Sequence, residues 1–222
     1  MRQLADAVWQ LRGFPPDAIN VYLVEDVLID AGTRHAGRRI LRQLEGHTVS
    51  AHALTHAHPD HQGASDEVCG KLGIPYWVGE KDVPFAEEPA KVAEAAPRHP
   101  FNRFAIRYWA GPGRNVDRVL REGDEVAGFA VLDVPGHSPG HVAYWREGDG
   151  VLILGDVLND INIMTGVRGL HEPPPFLSTD PGENRRSARR LAALEPKLAL
   201  FGHGPRLRDT RRFVDFVNAL PG

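Results

Sequence analysis

The chain has 222 residues, a length that suits one compact domain with its own core. Lysine and arginine number 26 against 29 aspartates and glutamates, a formal net charge of -3, so the basic excess of a general nucleic-acid binder is absent. The one cysteine, Cys69, excludes a disulfide framework within the chain, and no run approaches the roughly 18 apolar residues that span a bilayer.

The first eleven residues include Asp6 and no long apolar run, unlike a signal peptide, so a cytoplasmic protein is expected. Residues 19–24 and 27–29 are β-rich runs split by Glu25-Asp26, the pattern of a hairpin. Ile40, Leu41 and Leu44 have helical spacing and predict a helix over 33–44. A short strand over 48–54 delivers the chain to Thr55-His56. Ala64, Val68, Cys69 and Leu72 share one face of a helix predicted over 62–72; Cys69 is read there as a small buried hydrophobe, and Gly73 as the stop. A strand follows over 74–78. Residues 80–115 hold Pro84, Pro89, Pro97, Pro100 and Pro112, with helix expected over 86–96 and an aromatic-rich loop after it. Strands return at 129–134, 142–146 and 151–154, the last two joined by the turn Glu147-Gly148-Asp149-Gly150. Asp180-Pro181-Gly182-Glu183 opens a helix as N-cap, first-turn proline and capping-box glutamate. A strand over 198–201 and a helix over 211–220 close the chain. Two β-rich halves, each carrying helices, predict an α+β fold layered as an αββα sandwich, read as a single domain over 1–222.

The unusual figure is 11 histidines, and they cluster. Thr55-His56-Ala57-His58-Pro59-Asp60-His61 packs three histidines and an aspartate into one loop. On an extended segment His56 and His58 point the same way, and Pro59 helps the turn that brings in Asp60 and His61. One such loop can present ligands to two adjacent ions, and imidazole with carboxylate suits zinc, iron or manganese. His137 lies in the Gly/Pro-shaped loop 134–141 straight after a strand. Asp156 and His203 each end an apolar strand, where sites are usually built.

With Leu28-Ile29-Asp30-Ala31-Gly32, these motifs resemble the metallo-β-lactamase superfamily, nearest to its glyoxalase II-like hydrolases, and run in that family's order from Asp30 to His203. The resemblance implies the four-layer αββα sandwich and two divalent metal ions, zinc first and iron or manganese second. By resemblance, His56, His58 and His137 bind the first ion, and Asp60, His61 and His203 the second. Asp156 bridges both along with a water or hydroxide. The implied reaction is attack of that hydroxide on a thioester, ester or lactone of a small-molecule substrate, with Asp60 and Asp156 as the catalytic carboxylates that hold the nucleophile in line.

Asp30 is expected to organise the loop beneath the metals, and His141 to hydrogen-bond or pack beside His137. His171 is a candidate to face substrate. Arg206, Arg208, Arg211 and Arg212 read as a solvated helix face, and His35, His47, His52 and His99 as surface or satisfied core residues. Only 19 residues (222 minus 203) follow His203, so the glutathione-binding helical region of glyoxalase II is expected to be absent or much reduced. Asn159 stands where lactonases of the family often carry tyrosine. The nucleases of the family carry larger RNA-binding parts, and neither nucleic acid nor membrane is expected as a partner. The pattern assigns no substrate-binding residues and no oligomeric state. The runner-up activity is a mononuclear-iron sulfur dioxygenase acting on glutathione persulfide, which relatives build from residues like His56, His137 and Asp156.

Overall fold

The computed structural model describes residues 1–95 and 97–221. The first half of the chain gives β1 (Arg2–Ala5), β2 (Val8–Gln10), β3 (Tyr22–Val24), β4 (Val27–Ile29), α1 (Gly37–Leu44), β5 (Ala51–Ala53), α2 (Pro59–Gln62), α3 (Ser65–Leu72), β6 (Tyr76–Gly79), α4 (Val83–Glu87), α5 (Val92–Ala95), α6 (Pro100–Tyr108) and β7 (Arg118–Leu120). The second half gives β8 (Glu125–Val126), β9 (Phe129–Asp133), β10 (Val142–Arg146), β11 (Val151–Gly155), β12 (Asn159–Ile161), β13 (Arg168–His171), α7 (Pro181–Ala192), β14 (Leu198–Phe201) and α8 (Thr210–Asn218). One sheet runs β1 to β7 in chain order, antiparallel up to β4 and parallel beyond it. The other runs β14-β11-β10-β9-β8, with β14 parallel to β11 and the rest antiparallel. β12 and β13 pair as a separate ribbon.

The strands alternate, and that alternation makes the layers. Val142 and Tyr144 of β10, with Val151 and Ile153 of β11 and Leu198 and Leu200 of β14, face the first sheet, where Tyr22, Val24, Val27 and Ile29 meet them. Their neighbours Ala143, Leu152, Leu154, Ala199 and Phe201 face outward and are covered by Leu191 of α7 and Phe213 of α8. On the far side, Leu23 and Leu28 pack under Ile40 of α1 and Val68 of α3. Helix, sheet, sheet, helix is therefore the order of layers, the αββα sandwich. Among the described residues no helix is long and apolar enough to cross a membrane.

The hairpin at Glu25-Asp26 forms, with Glu25 at φ +50°. The helix predicted over 33–44 begins only at Gly37, and the one over 62–72 is two pieces, because Ala64 (φ -102°, ψ 7°) leaves the helical ladder. Gly73 ends α3 in the left-handed conformation, its N–H on the Cys69 carbonyl, and Cys69 is fully buried, its thiol pushed up to about 12 by that burial. Asp180 caps α7 by accepting from Glu183 N, but its own N–H goes to the Gly136 carbonyl, so the reciprocal half of a capping box is replaced by a tertiary contact. The stretch 86–96 is broken into short turns, and Ala96 lies outside the described residues. The aromatic segment expected as a loop is α6. Pro100 sits at its first turn, where a proline costs no hydrogen bond, and His99 caps it at Phe101 N.

His52 is a satisfied core histidine. Its Nδ1 lies 3.0 Å from the Leu28 carbonyl and its Nε2 2.8 Å from Ser65 Oγ, so the neutral ring donates to one and accepts from the other. Burial holds its pKa down at about 4. A folded-state pKa below the unfolded value means stability present above about 6.5 and lost as pH falls through 4. Between pH 7 and pH 4.5, wild type should therefore lose on the order of 2–3 kcal/mol more unfolding free energy than His52→Gln. Urea titrations of the two proteins at both pH values measure this, and parallel losses would refute it.

Candidate metal centre

The end of β5 leads through Leu54 into a bend at Thr55, and His58 is extended (φ -82°, ψ 155°) before Pro59 starts α2. His56 and His58 are thus presented from an extended strand exit, and Asp60 and His61 from the first turn of a helix. Beneath this loop, buried Asp30 ties both parts together. Its Oδ1 accepts from Thr55 N at 2.8 Å, and its Oδ2 accepts from Thr55 Oγ1 and His61 Nδ1, each at 2.9 Å. Asp30 lies under the loop, and its bond to Nδ1 leaves His61 Nε2 turned toward Asp60 and Asp156.

A second carboxylate was not singled out in the sequence. Asp82, fully buried after β6, accepts from Ala57 N at 2.8 Å and from Ser138 Oγ and Gly140 N, each at 2.7 Å. It joins the loop carrying His56 and His58 to the loop carrying His137. Its position just past a strand end was the available signal, though no neighbouring motif marked it.

The second sheet supplies the other groups. His137 follows β9, Asp156 follows β11 and His203 follows β14. Gly155, at φ +53°, bends the chain at the end of β11, and a Cβ there would sit 2.4 Å from His141 Nε2. Gly202 must also be glycine, since a Cβ would lie 1.9 Å from Asp156 Oδ1. The His203 loop is held by the N-terminal segment. Asn20 Nδ2 donates to the Phe201 and Gly204 carbonyls at 2.9 and 2.8 Å, Tyr22 OH to the Phe201 carbonyl at 2.7 Å, and His203 Nδ1 to the Ala18 carbonyl at 2.5 Å.

All seven sequence-predicted ligand residues converge. Ligand atoms of His56, His58 and His137 lie within 4.8 Å of one another, and so do those of Asp60, His61 and His203. Asp156 stands between the two sets: its Oδ1 is 3.6 Å from His61 Nε2, and its Oδ2 is 3.7 Å from His137 Nε2 and 3.1 Å from His203 Nε2. His203 Nε2 is also 3.3 Å from Asp60 Oδ2.

The set fits metal ions. His56 Nε2, His137 Nε2 and Asp156 Oδ1 are buried with no hydrogen-bond partner among the described residues, where such groups are nearly always paired. Burial, with the neighbouring imidazoles, holds His56 and His137 far below the ordinary histidine pKa, leaving them neutral, the form that ligates. Burial also opposes charge on His61, but the Asp156, Asp30 and Asp60 carboxylates outweigh it and raise it to about 9. His203 is raised likewise against its burial, by Asp156 and Asp60. Burial opposes ionisation of Asp60 and Asp156, and the facing histidines reverse this, holding both well below the carboxylate range. The centre is thus neutral imidazole on one side and carboxylates paired with charged imidazoles on the other.

His141 packs against His56 and His137, with ring centroids 4.6 and 5.8 Å away, and neither of its nitrogens finds a partner among the described residues. His137 Nδ1 lies 3.2 Å from Ser178 Oγ, an orienting contact from a distant loop that no local pattern announced. A cavity of about 480 Å3 opens over the centre, with His58, Asp60, His137, Asp156 and His203 on its floor. His171 ends β13 and does not line it. Neither do Arg206, Arg208, Arg211 or Arg212; Arg211 faces Asp215 at 3.6 Å and Arg212 faces Asp160 at 3.6 Å. His35 and His47 are exposed, and His99 stacks on Phe176 at 3.8 Å.

Comparison with known proteins adds to this geometry. A family model described as the metallo-beta-lactamase superfamily matches residues 14–203. The chain is 27% identical over 225 residues to the probable metallo-hydrolase YflN of Bacillus subtilis (strain 168), covering 90% of this chain and 85% of that protein. It superposes on the metallo-beta-lactamase family protein TTHA1429 of Thermus thermophilus with a TM-score of 0.73 and 28% identity, over 98% of this chain and 80% of that one. For TTHA1623, solved in a di-iron-bound form, the TM-score is 0.66 and the identity 32%, over 90% and 93%.

Proposed function

This chain belongs to the metallo-beta-lactamase superfamily, and from that premise we propose that it is a dinuclear metal-dependent hydrolase, glyoxalase II-like in its centre, that cleaves a thioester, ester or lactone of a small molecule. The observation that carries the reading is Asp156, set between two complete ligand trios on the floor of a cavity large enough for a small substrate. His56, His58 and His137 would hold one ion, and Asp60, His61 and His203 the other, with Asp156 reaching both. Zinc is the first choice for a centre of imidazole and carboxylate; iron, which TTHA1623 binds, and manganese follow. When bound, such ions supply an acidified water and an electrophile for a carbonyl oxygen.

The chain's own groups do the rest. Asp60 and Asp156 remain ionised, so they accept hydrogen bonds and hold an attacking water in line. Asp30 and Ser178 fix the outward nitrogens of His61 and His137, and Ala18 that of His203. The cavity walls exclude bulk water from the floor, which strengthens each of these interactions.

Protein purified without chelator should carry close to two metal ions, measured by elemental analysis. His61→Ala and His203→Ala should each remove one ion and depress hydrolysis of a small thioester and lactone panel by about a hundredfold or more, since each 1.36 kcal/mol lost is about tenfold in rate. Oxygen uptake with glutathione persulfide, retained in both variants with a single iron, would overturn the hydrolase reading in favour of a dioxygenase.

A further inference from the structure

The walls above the centre are apolar. Ile19 comes from the loop before β3, Phe101, Ile106 and Trp109 from α6 and its end, and Ile163 and Leu177 from the loops around β13. Among the described lining residues there is no lysine or arginine. Two amides line the cavity, and one end of each is already committed to neighbouring backbone. Asn102 Nδ2 donates to the Pro97 and Phe176 carbonyls at 2.9 and 2.7 Å, and Asn162 Oδ1 accepts from Met164 N and Thr165 N, each at 3.0 Å. Arg103 and Arg107 of α6 point to solvent, outside the cavity.

The segments that line the cavity also expose apolar side chains. Phe14 is 87% exposed, Phe104 46%, Tyr108 50%, Met164 52% and Val167 59%. These five belong to the same three segments that supply the walls: the approach to Pro15-Pro16, α6, and the turn between β12 and β13. Scattered exposed apolar residues need no account, but several on the segments that line one apolar cavity mark a surface that meets something apolar.

We infer that the substrate carries an uncharged hydrocarbon chain or ring on the reacting ester, thioester or lactone, which lies along the α6 wall while the carbonyl reaches the floor. A glutathione thioester is disfavoured, because the two carboxylates of its tripeptide would meet no cation in these walls, and burying an unpaired charge is costly. The inference rests on the hydrolase reading of the centre, and it turns α6 from a cover into the specificity element.

The test uses the metal-loaded protein and two series. The first is p-nitrophenyl esters and ethyl thioesters from acetyl to octanoyl, with the matching S-acylglutathiones; the second is calorimetric binding of linear alcohols from butanol to octanol. kcat/KM and alcohol affinity should each rise about threefold per added methylene. Each S-acylglutathione should be at least about tenfold poorer than the ethyl thioester of the same acyl group. Ile106→Asp should flatten both series, and Ile106→Leu should keep them. Hydrolysis with no chain-length dependence, or with preference for the glutathione series, overturns the inference and leaves the hydrolase reading standing. No hydrolysis, with alcohol binding that still tightens along the series, refutes the hydrolase reading and keeps the apolar subsite. No hydrolysis with flat alcohol binding overturns both.

Discussion

Asp156→Ala should lose at least one metal ion and about a thousandfold or more in turnover, while its far-ultraviolet circular dichroism stays that of wild type. The size of the effect follows from the position. One carboxylate faces His61, His137 and His203 at 3.6, 3.7 and 3.1 Å, members of both trios. Its removal leaves His61 with Asp30 and Asp60 and His203 with Asp60, and takes away the carboxylate that faces His137 at 3.7 Å. The fold should survive because Asp156 makes its contacts with ligands rather than with the sheets; β11 is held by its ladders to β10 and β14. Metal content, circular dichroism and initial rate on one preparation decide the matter. A variant with wild-type turnover would sink the assignment of Asp156.

Asp82→Ala should act on stability as well as on the centre, although Asp82 does not line the cavity. It leaves Ala57 N, Ser138 Oγ and Gly140 N without their acceptor in a fully buried place. Removing one partner from such a buried network costs about 3 kcal/mol, which for a chain of this length lowers Tm by roughly 6–12 °C. Because Asp82 ties the His56–His58 loop to the His137 loop, the loosened trio should also hold its ion more weakly, by about tenfold or more. Thermal melts and metal titration of Asp82→Ala, with Asp82→Asn as the near-isosteric control, measure both effects. The control should fall between, since its amide offers one acceptor oxygen and turns a donor toward another donor. Unchanged melting and unchanged affinity in Asp82→Ala would show that the clamp has no such role.

The residues that converge were legible because each sits in a short contiguous signal: the loop from His56 to His61, the loop around His137, and a polar residue at the end of an apolar strand for Asp156 and His203. The longer strands were legible from alternation, and β10, β11 and β14 lie within one residue of where it puts them. β1, β2, β7, β8, β12 and β13 were not, being two to four residues long with too few alternations to stand out. Prolines hid α6, because a proline that starts a helix and one that ends it look alike without the cap. Asp82 and Ser178 escaped for a different reason. Their contacts reach across 25 to 58 residues, so nothing near them in the chain records what they hold.

The way the His203 loop is tethered also sets an order of assembly. Its anchors are Ala18, Asn20 and Tyr22, across separations of 179 to 185 residues, and β14 is the last strand to be synthesised. On a growing chain, the loop from His56 to His61 and its Asp30 brace emerge early and involve only nearby residues. His137 and Asp156 follow with β9 and β11, and His203 arrives with β14 and docks against residues 18–22. Contacts of such long range form late, after the entropy of closing the chain has been met. Completion of the centre therefore coincides with the docking of β14 against the segment from Ala18 to Tyr22, and a nascent chain that has not yet released β14 lacks His203 beside Asp60 and His61.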